Sequence, residues 1–168
     1  MKKSFFNIAS LKKLSDKKPL LYSTTEDGKI IFWNSKGLFA IKCNKMLFDY
    51  EIVNSLPTSN IPELPTCIVN HFEAFTENET TVLSETFLLK ELPQGVTAKL
   101  YQNYIYDYFT PIDIQILKIF NFIENYTPVQ YKENTSVLFK SDDINILIMP
   151  LHNRGIKEDL KKIVNREE

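Results

Sequence analysis

The sequence predicts an α+β fold in which a β-α-β-β-β unit is used twice, as two antiparallel sheets with the helices on one face. Three observations predict it. Apolar residues recur at helical spacing in two places, Ile8, Leu11 and Leu14, then Ile112, Ile116, Ile119, Phe120 and Ile123. Each stretch is followed by three short runs rich in Ile, Val, Leu and aromatics. Turn residues separate the runs in both halves.

Each element has its own signal. Lys3–Asn7 reads as a first strand. Asn7 caps a short helix that Pro19 stops. Leu20–Thr25, Lys29–Trp33 and Leu38–Cys43 read as a meander, turning at Glu26-Asp27-Gly28 and at Asn34-Ser35-Lys36-Gly37. Residues 46–94 read as an irregular insertion. Pro57, Pro62 and Pro65 interrupt it, with short strands at Phe48–Val53 and Cys67–Phe72 and a longer one at Thr81–Leu92. Pro93-Gln94-Gly95 turns into Val96–Tyr101, the first strand of the second unit. Thr110 as N-cap and Pro111 at the first helical position then start a helix that runs to Tyr126. Val129–Lys132, Ser136–Lys140 and Ile144–Met149 make the second meander. Ile156, Leu160, Ile163 and Val164 line one face of a C-terminal helix within 153–168, after a single domain at 1–152.

Composition bounds the function. The 168 residues carry Lys+Arg 20 against Asp+Glu 21, so a chain coated in basic residues for nucleic acid is excluded, and so is an acidic DNA mimic. Only Arg154 and Arg166 are arginines, which leaves little bidentate phosphate clamping. With 18 Ile, 14 Asn and 18 Lys, the bias is that of an AT-rich genome, such as a low-GC bacterium or its phage. Cys43 and Cys67 read as free, buried thiols. Residues 1–18 hold no apolar signal core, and no apolar run reaches the length of a membrane span, so a cytoplasmic location is expected.

A doubled β-α-β-β-β unit resembles one domain of the DNA sliding clamps, the processivity factors of replicative polymerases. Two segments are similar to the bacterial-type clamps and their smaller phage relatives. One is the hairpin from Glu26 to Ile41, although Asn34-Ser35-Lys36-Gly37 replaces the family's Thr-Asp-Gly turn. The other is Ser136–Lys140 followed by Ile146-Leu147-Ile148-Met149-Pro150-Leu151, which is like the family's closing apolar strand and Met-Pro-apolar ending. The likeness covers 1–45 and 95–152. It implies a clamp-like fold whose helices face duplex DNA, so that Lys12, Lys13, Lys17 and Lys18 meet phosphates without reading bases. It also implies a groove for partner peptides beside Met149, Pro150 and Leu151. Known clamps close a ring from six such domains, so one domain implies a homo-oligomer. The plain alternatives are a solvated lysine face and an ordinary strand end.

Other constellations carry less. Tyr101, Tyr104, Tyr106, Tyr108 and Phe109 could stack on bases, but there is no cation between Lys99 and Lys118, so a core or oligomer interface is expected. His71-Phe72-Glu73 has the H-x-E of zinc deaminases without the P-C-x-x-C that must accompany it. Cys67 and His71 are the residue types of a nucleophile pair, but a four-residue spacing and no orienting acid do not make one. Four glycines form neither a phosphate loop nor a dinucleotide fingerprint. The sequence therefore predicts no metal, no cofactor and no catalysis. The expected function is a clamp-like protein of replication or repair, encoded by a phage or mobile element and acting in the host cytoplasm. Its expected partners are duplex DNA, bound weakly and without sequence preference, and a replication or host protein, with no membrane. The alternative is a small interaction or inhibitor protein that binds a host protein without touching DNA.

Overall fold

The computed structural model describes residues 5–15, 20–45, 56, 58–153, 155–156 and 158–160. The strand expected at 48–53 lies outside the described residues. The N-terminal strand is reduced to one bridge, Phe6 with Phe120, flanked by Asn7 N–H on the Ile119 carbonyl (2.7 Å) and Asn121 N–H on the Phe5 carbonyl (2.7 Å). Helix α1 follows at Ile8–Ser15, and the Asn7 side chain accepts from Ser10 N–H at 3.2 Å, as a cap should.

Strands β1 (Leu20–Thr24), β2 (Lys29–Asn34) and β3 (Phe39–Asn44) form the expected antiparallel meander. Its hairpins turn at Gly28 and Gly37, with φ of 77° and 70°, which a residue lacking Cβ adopts without strain. Strands β4 (Thr58–Asn60), β5 (Thr81–Val82), β6 (Ser84–Leu92), β7 (Val96–Asn103), β8 (Tyr108–Asp113), β9 (Thr127–Gln130), β10 (Val137–Lys140) and β11 (Ile144–Ile148) complete two sheets. The larger runs β4-β1-β2-β3-β11-β10-β9-β5, and the smaller is β6-β7-β8. The larger is mixed, because β4 pairs with β1 in parallel. The expectation of purely antiparallel sheets is corrected at that edge, and so is the β-α-β-β-β order of the second unit, because its expected first strand, Val96–Tyr101, lies in β7 of the smaller sheet and β8 follows it before any helical turn.

The join between the two meanders is antiparallel pairing of β3 with β11, Phe39 opposite Ile148, Ile41 opposite Ile146 and Cys43 opposite Ile144. Period-2 alternation gives this sheet two apolar faces. The first holds Ile30, Phe32, Phe39, Ile41, Val137, Phe139, Ile146 and Ile148, packed with Phe6, Leu11 of α1, Ile112 and Tyr101. The second holds Ile31, Trp33, Ala40, Val129, Leu138 and Leu147, packed with Phe72.

Phe72 belongs to helix α2 (Thr66–Glu77), where the sequence reading placed a short strand at Cys67–Phe72. Six residues such as Cys-Ile-Val-Asn-His-Phe suit either state. The longer window decides it, since Ile68, Phe72 and Phe75 recur on one helical face, and that face packs on the sheet. Asn78 closes the helix, its N–H and side-chain amide both donating to the Ala74 carbonyl. The expectation of helices on one face is therefore corrected. α1 and the turn at Ile114–Leu117 share the first face, and α2 covers the second.

The helix expected at 112–125 is corrected too. Thr110, Pro111 and Ile112 lie in β8, an edge strand where a missing N–H is tolerated. Asp113 caps a single turn, α3 (Ile114–Leu117), accepting from Gln115 N–H at 2.9 Å. Phe122 then takes a left-handed conformation, φ 63°, before a second short turn at Ile123–Asn125. The apolar residues that mimicked a helix face are buried all the same, Ile112, Ile116, Ile119 and Phe120 among them. Thr81–Leu92 splits at buried Leu83, so that β5 joins the larger sheet and β6 the smaller. At the C-terminus Ile156 and residues 158–160 are helical, and the rest of the expected helix lies outside the described residues. No helix among the described residues is long and apolar enough to cross a membrane.

Candidate functional site

Lys12 and Lys13 are exposed on α1, while Leu11 and Ser15 point into the protein. Lys17 and Lys18 lie outside the described residues. Met149, Pro150 and Leu151 run from the end of β11 across to the smaller sheet. Met149 N–H donates to the Leu38 carbonyl (3.0 Å) and Leu151 N–H to the Pro111 carbonyl (2.9 Å), so the segment ties the two sheets together. The cavity that opens next along the chain, about 450 Å³, starts at His152 and has Tyr106, Tyr108, Phe109 and Ile156 in its walls.

The aromatic cluster divides. Tyr101 and Tyr108 are buried, and their phenols are pushed above the ordinary range chiefly by that burial. Tyr104, Ile105 and Tyr106 stand out at the tip of the β7–β8 hairpin, 66–71% exposed. The tip is shaped from below, because the Asn103 side-chain oxygen accepts from Ile105 and Tyr106 N–H, both at 3.0 Å. Asn103 is itself wholly buried and donates to Thr81 Oγ1 (2.6 Å) and Tyr108 Oη (3.2 Å). Gln130 takes up the chain of bonds, accepting from Tyr108 (3.0 Å) and Thr110 (2.9 Å) and donating to the Thr135 carbonyl (2.7 Å). This buried network fastens β7 and β8 to β9.

Cys67 is exposed on α2, which corrects the expectation that both thiols are buried. Cys43 is buried, and desolvation pushes its thiol up to about 11. His71 lies 3.4 Å from Ser136 Oγ, yet Ser136 is 1% exposed, so that hydroxyl has no route to a substrate. Among the described residues no three His, Cys, Asp or Glu side chains converge as metal ligands.

The site the sequence reading missed is a cleft of about 690 Å³ between α2 and the second face of the sheet, within the range of ligand pockets. Its apolar lining is Ile31, Leu64, Val69 and Phe72. Carboxylates stand around it from three segments, Glu26 and Asp27 on the β1–β2 turn, Glu63 before α2 and Glu73 on α2. Lys42 comes from β3, its ammonium 6.0 Å from the centre of the Phe72 ring. Asp27 is well anchored. The Thr25 hydroxyl donates to it and, with the Lys42 and Lys29 charges, holds its carboxyl below the ordinary range. No ion pair reaches Glu26, Glu63 or Glu73 among the described residues. Val69, Phe72, Glu73 and Thr76 fall on one helical stripe, a signal legible only once 66–77 is read as a helix.

Comparison with known proteins gives no match to any family model, any curated protein or any solved structure.

Proposed function

We propose that this chain is a sliding-clamp-like, non-catalytic protein of DNA replication or repair, encoded by a phage or mobile element and acting in the host cytoplasm. The observation that carries the reading is the pairing of β3 with β11. It sets two three-stranded meanders edge to edge in one sheet, with α1 and the single turn α3 against the same face. In this reading Lys12, Lys13, Lys17 and Lys18 face duplex phosphates, and Met149, Pro150 and Leu151 border a site for a polymerase-type peptide. The salt dependence of binding to a fluorescent duplex tests it. Three phosphate contacts give a log–log slope near -2.7 and lose affinity roughly 40-fold between about 50 and 200 mM salt. Replacing all four lysines by glutamine flattens that slope, and the melting temperature stays put because neither Lys12 nor Lys13 is in the core. Undetectable binding at 50 mM salt, or an unchanged slope in the variant, refutes the DNA face.

A second reading has its own observation. Phe87, Leu88 and Leu89 are exposed on edge strand β6, Phe87 fully so, and Tyr104, Ile105 and Tyr106 project from a neighbouring hairpin. Exposed apolar runs of this kind mark protein–protein contact. They favour a small interaction or inhibitor protein that binds a host protein without DNA.

A further inference from the structure

We infer that the cleft between α2 and the sheet is a docking site for a partner protein's short basic segment, one in which lysine or arginine alternates with large apolar residues. The inference rests on the cleft alone and is independent of the clamp-like reading, whose lysine helix packs on the opposite face of the sheet.

The chemistry of the walls selects the occupant. The apolar lining, Ile31, Leu64, Val69 and Phe72, offers burial to an aliphatic or aromatic side chain. Around it stand four carboxylates, against the single ammonium of Lys42. Asp27 is compensated locally, by Lys29 at 3.9 Å and by the charge of Lys42. Glu26, Glu63 and Glu73 receive no such partner among the described residues, so the cleft keeps a negative field that attracts cations and repels acidic segments. A metal ion is the wrong cation here, because no three ligand side chains converge among the described residues. An organic cation on a flexible stem fits better, since its stem can lie along apolar walls while its head meets the rim. The protein already shows this arrangement once, with the Lys42 ammonium over the face of Phe72. The acidic groups come from three separate segments, so an extended segment crossing the cleft meets them in succession.

The test uses the full chain and two fluorescein-labelled ten-residue peptides, one alternating leucine and lysine, the other leucine and glutamate. The leucine–lysine peptide binds saturably in anisotropy titrations and the leucine–glutamate peptide does not. Glu63→Lys with Glu73→Lys weakens that binding at least about tenfold, since rim charges steer and hold the cationic partner. Both residues are exposed, so the fold survives the change. The control carries the same change in net charge away from the cleft, Glu124→Lys with Asp142→Lys, and binds as the parent does. Equal loss in both double variants shows general charge attraction and overturns the site, as does no saturable binding below about 1 mM. Self-association of the chain that the cleft variant alone disperses assigns the cleft to a second copy and overturns the peptide assignment. Replacing the four N-terminal lysines by glutamine flattens the salt slope of duplex binding in the cleft variant as it does in the parent, so failure here is distinct from failure of the DNA face.

Discussion

Thiol reactivity is governed by how much thiolate forms and how well reagent reaches it, and Cys43 and Cys67 differ in access. Cys67 is exposed and Cys43 is buried with its thiol pushed up to about 11. Iodoacetamide near neutral pH therefore adds one carbamidomethyl group to the native chain, on Cys67, and two to the unfolded chain, as read by mass spectrometry. Two adducts on the native chain contradict the burial. The same shift makes stability depend on pH. The unfolded thiol ionises near its ordinary value, about 8.5. The folded state holds the proton longer, so the contribution of Cys43 is intact below that value and is lost as pH rises towards 11. Burial raises Tyr101 and Tyr108 in the same direction, which continues the loss at higher pH. Urea midpoints fall between pH 9 and 11, and the early part of that fall shrinks in Cys43→Ala. A flat midpoint across this window contradicts the shift. Gln130 is the other decisive residue. Gln130→Ala leaves the Tyr108 and Thr110 hydroxyls without their shared acceptor, at a cost of about 2–4 kcal/mol in urea unfolding. A cost under about 0.5 kcal/mol would mean the network carries no stability.

At the level of elements, the sequence was readable where a turn residue and a strand pattern agreed. The β1–β2–β3 meander and the β10–β11 hairpin fall within a residue or two of their expected ends, because Gly28, Gly37 and Ser141-Asp142-Asp143 mark the reversals. It misled where a helical spacing spanned a strand. Ile112, Ile116 and Ile119 share spacing with a helix, but Tyr108–Asp113 pairs with β7, and that pairing offered more than an isolated helix could. α2 was hidden by the opposite error, a short window taken from a long amphipathic pattern. The cleft vanished with it, since Val69, Phe72, Glu73 and Thr76 come together only on a helix. Phe72 anchors that helix, so Phe72→Ala costs about 3 kcal/mol and abolishes binding of the basic peptide as well. Phe87 gives the contrasting result. It is fully exposed on the irregular stretch of β6 between Glu85 and Leu89, so Phe87→Ser changes stability by less than about 0.5 kcal/mol. A loss of several kcal/mol there would show that this strand is covered in the folded state.

For the whole molecule, the proposed clamp-like function rests on the arrangement of the larger sheet. β3 and β11 join two meanders whose shared face buries α1 and α3, while the 58–94 region adds β4 at one edge, β5 at the other and α2 on the far face. Element order in the sequence foretold the doubled meander, whereas α2 was legible only in a window of twelve residues, longer than the six that read as a strand. The proposed clamp-like role demands more than one copy, since a clamp surrounds its duplex with six domains and each chain would supply one. Sedimentation velocity across a concentration series, at low salt and with duplex present, is the most direct test. The clamp-like account predicts one closed species of six chains that resists dilution, with no open-ended polymer. A chain that stays a monomer or a dimer throughout contradicts it and leaves the interaction-protein reading in its place.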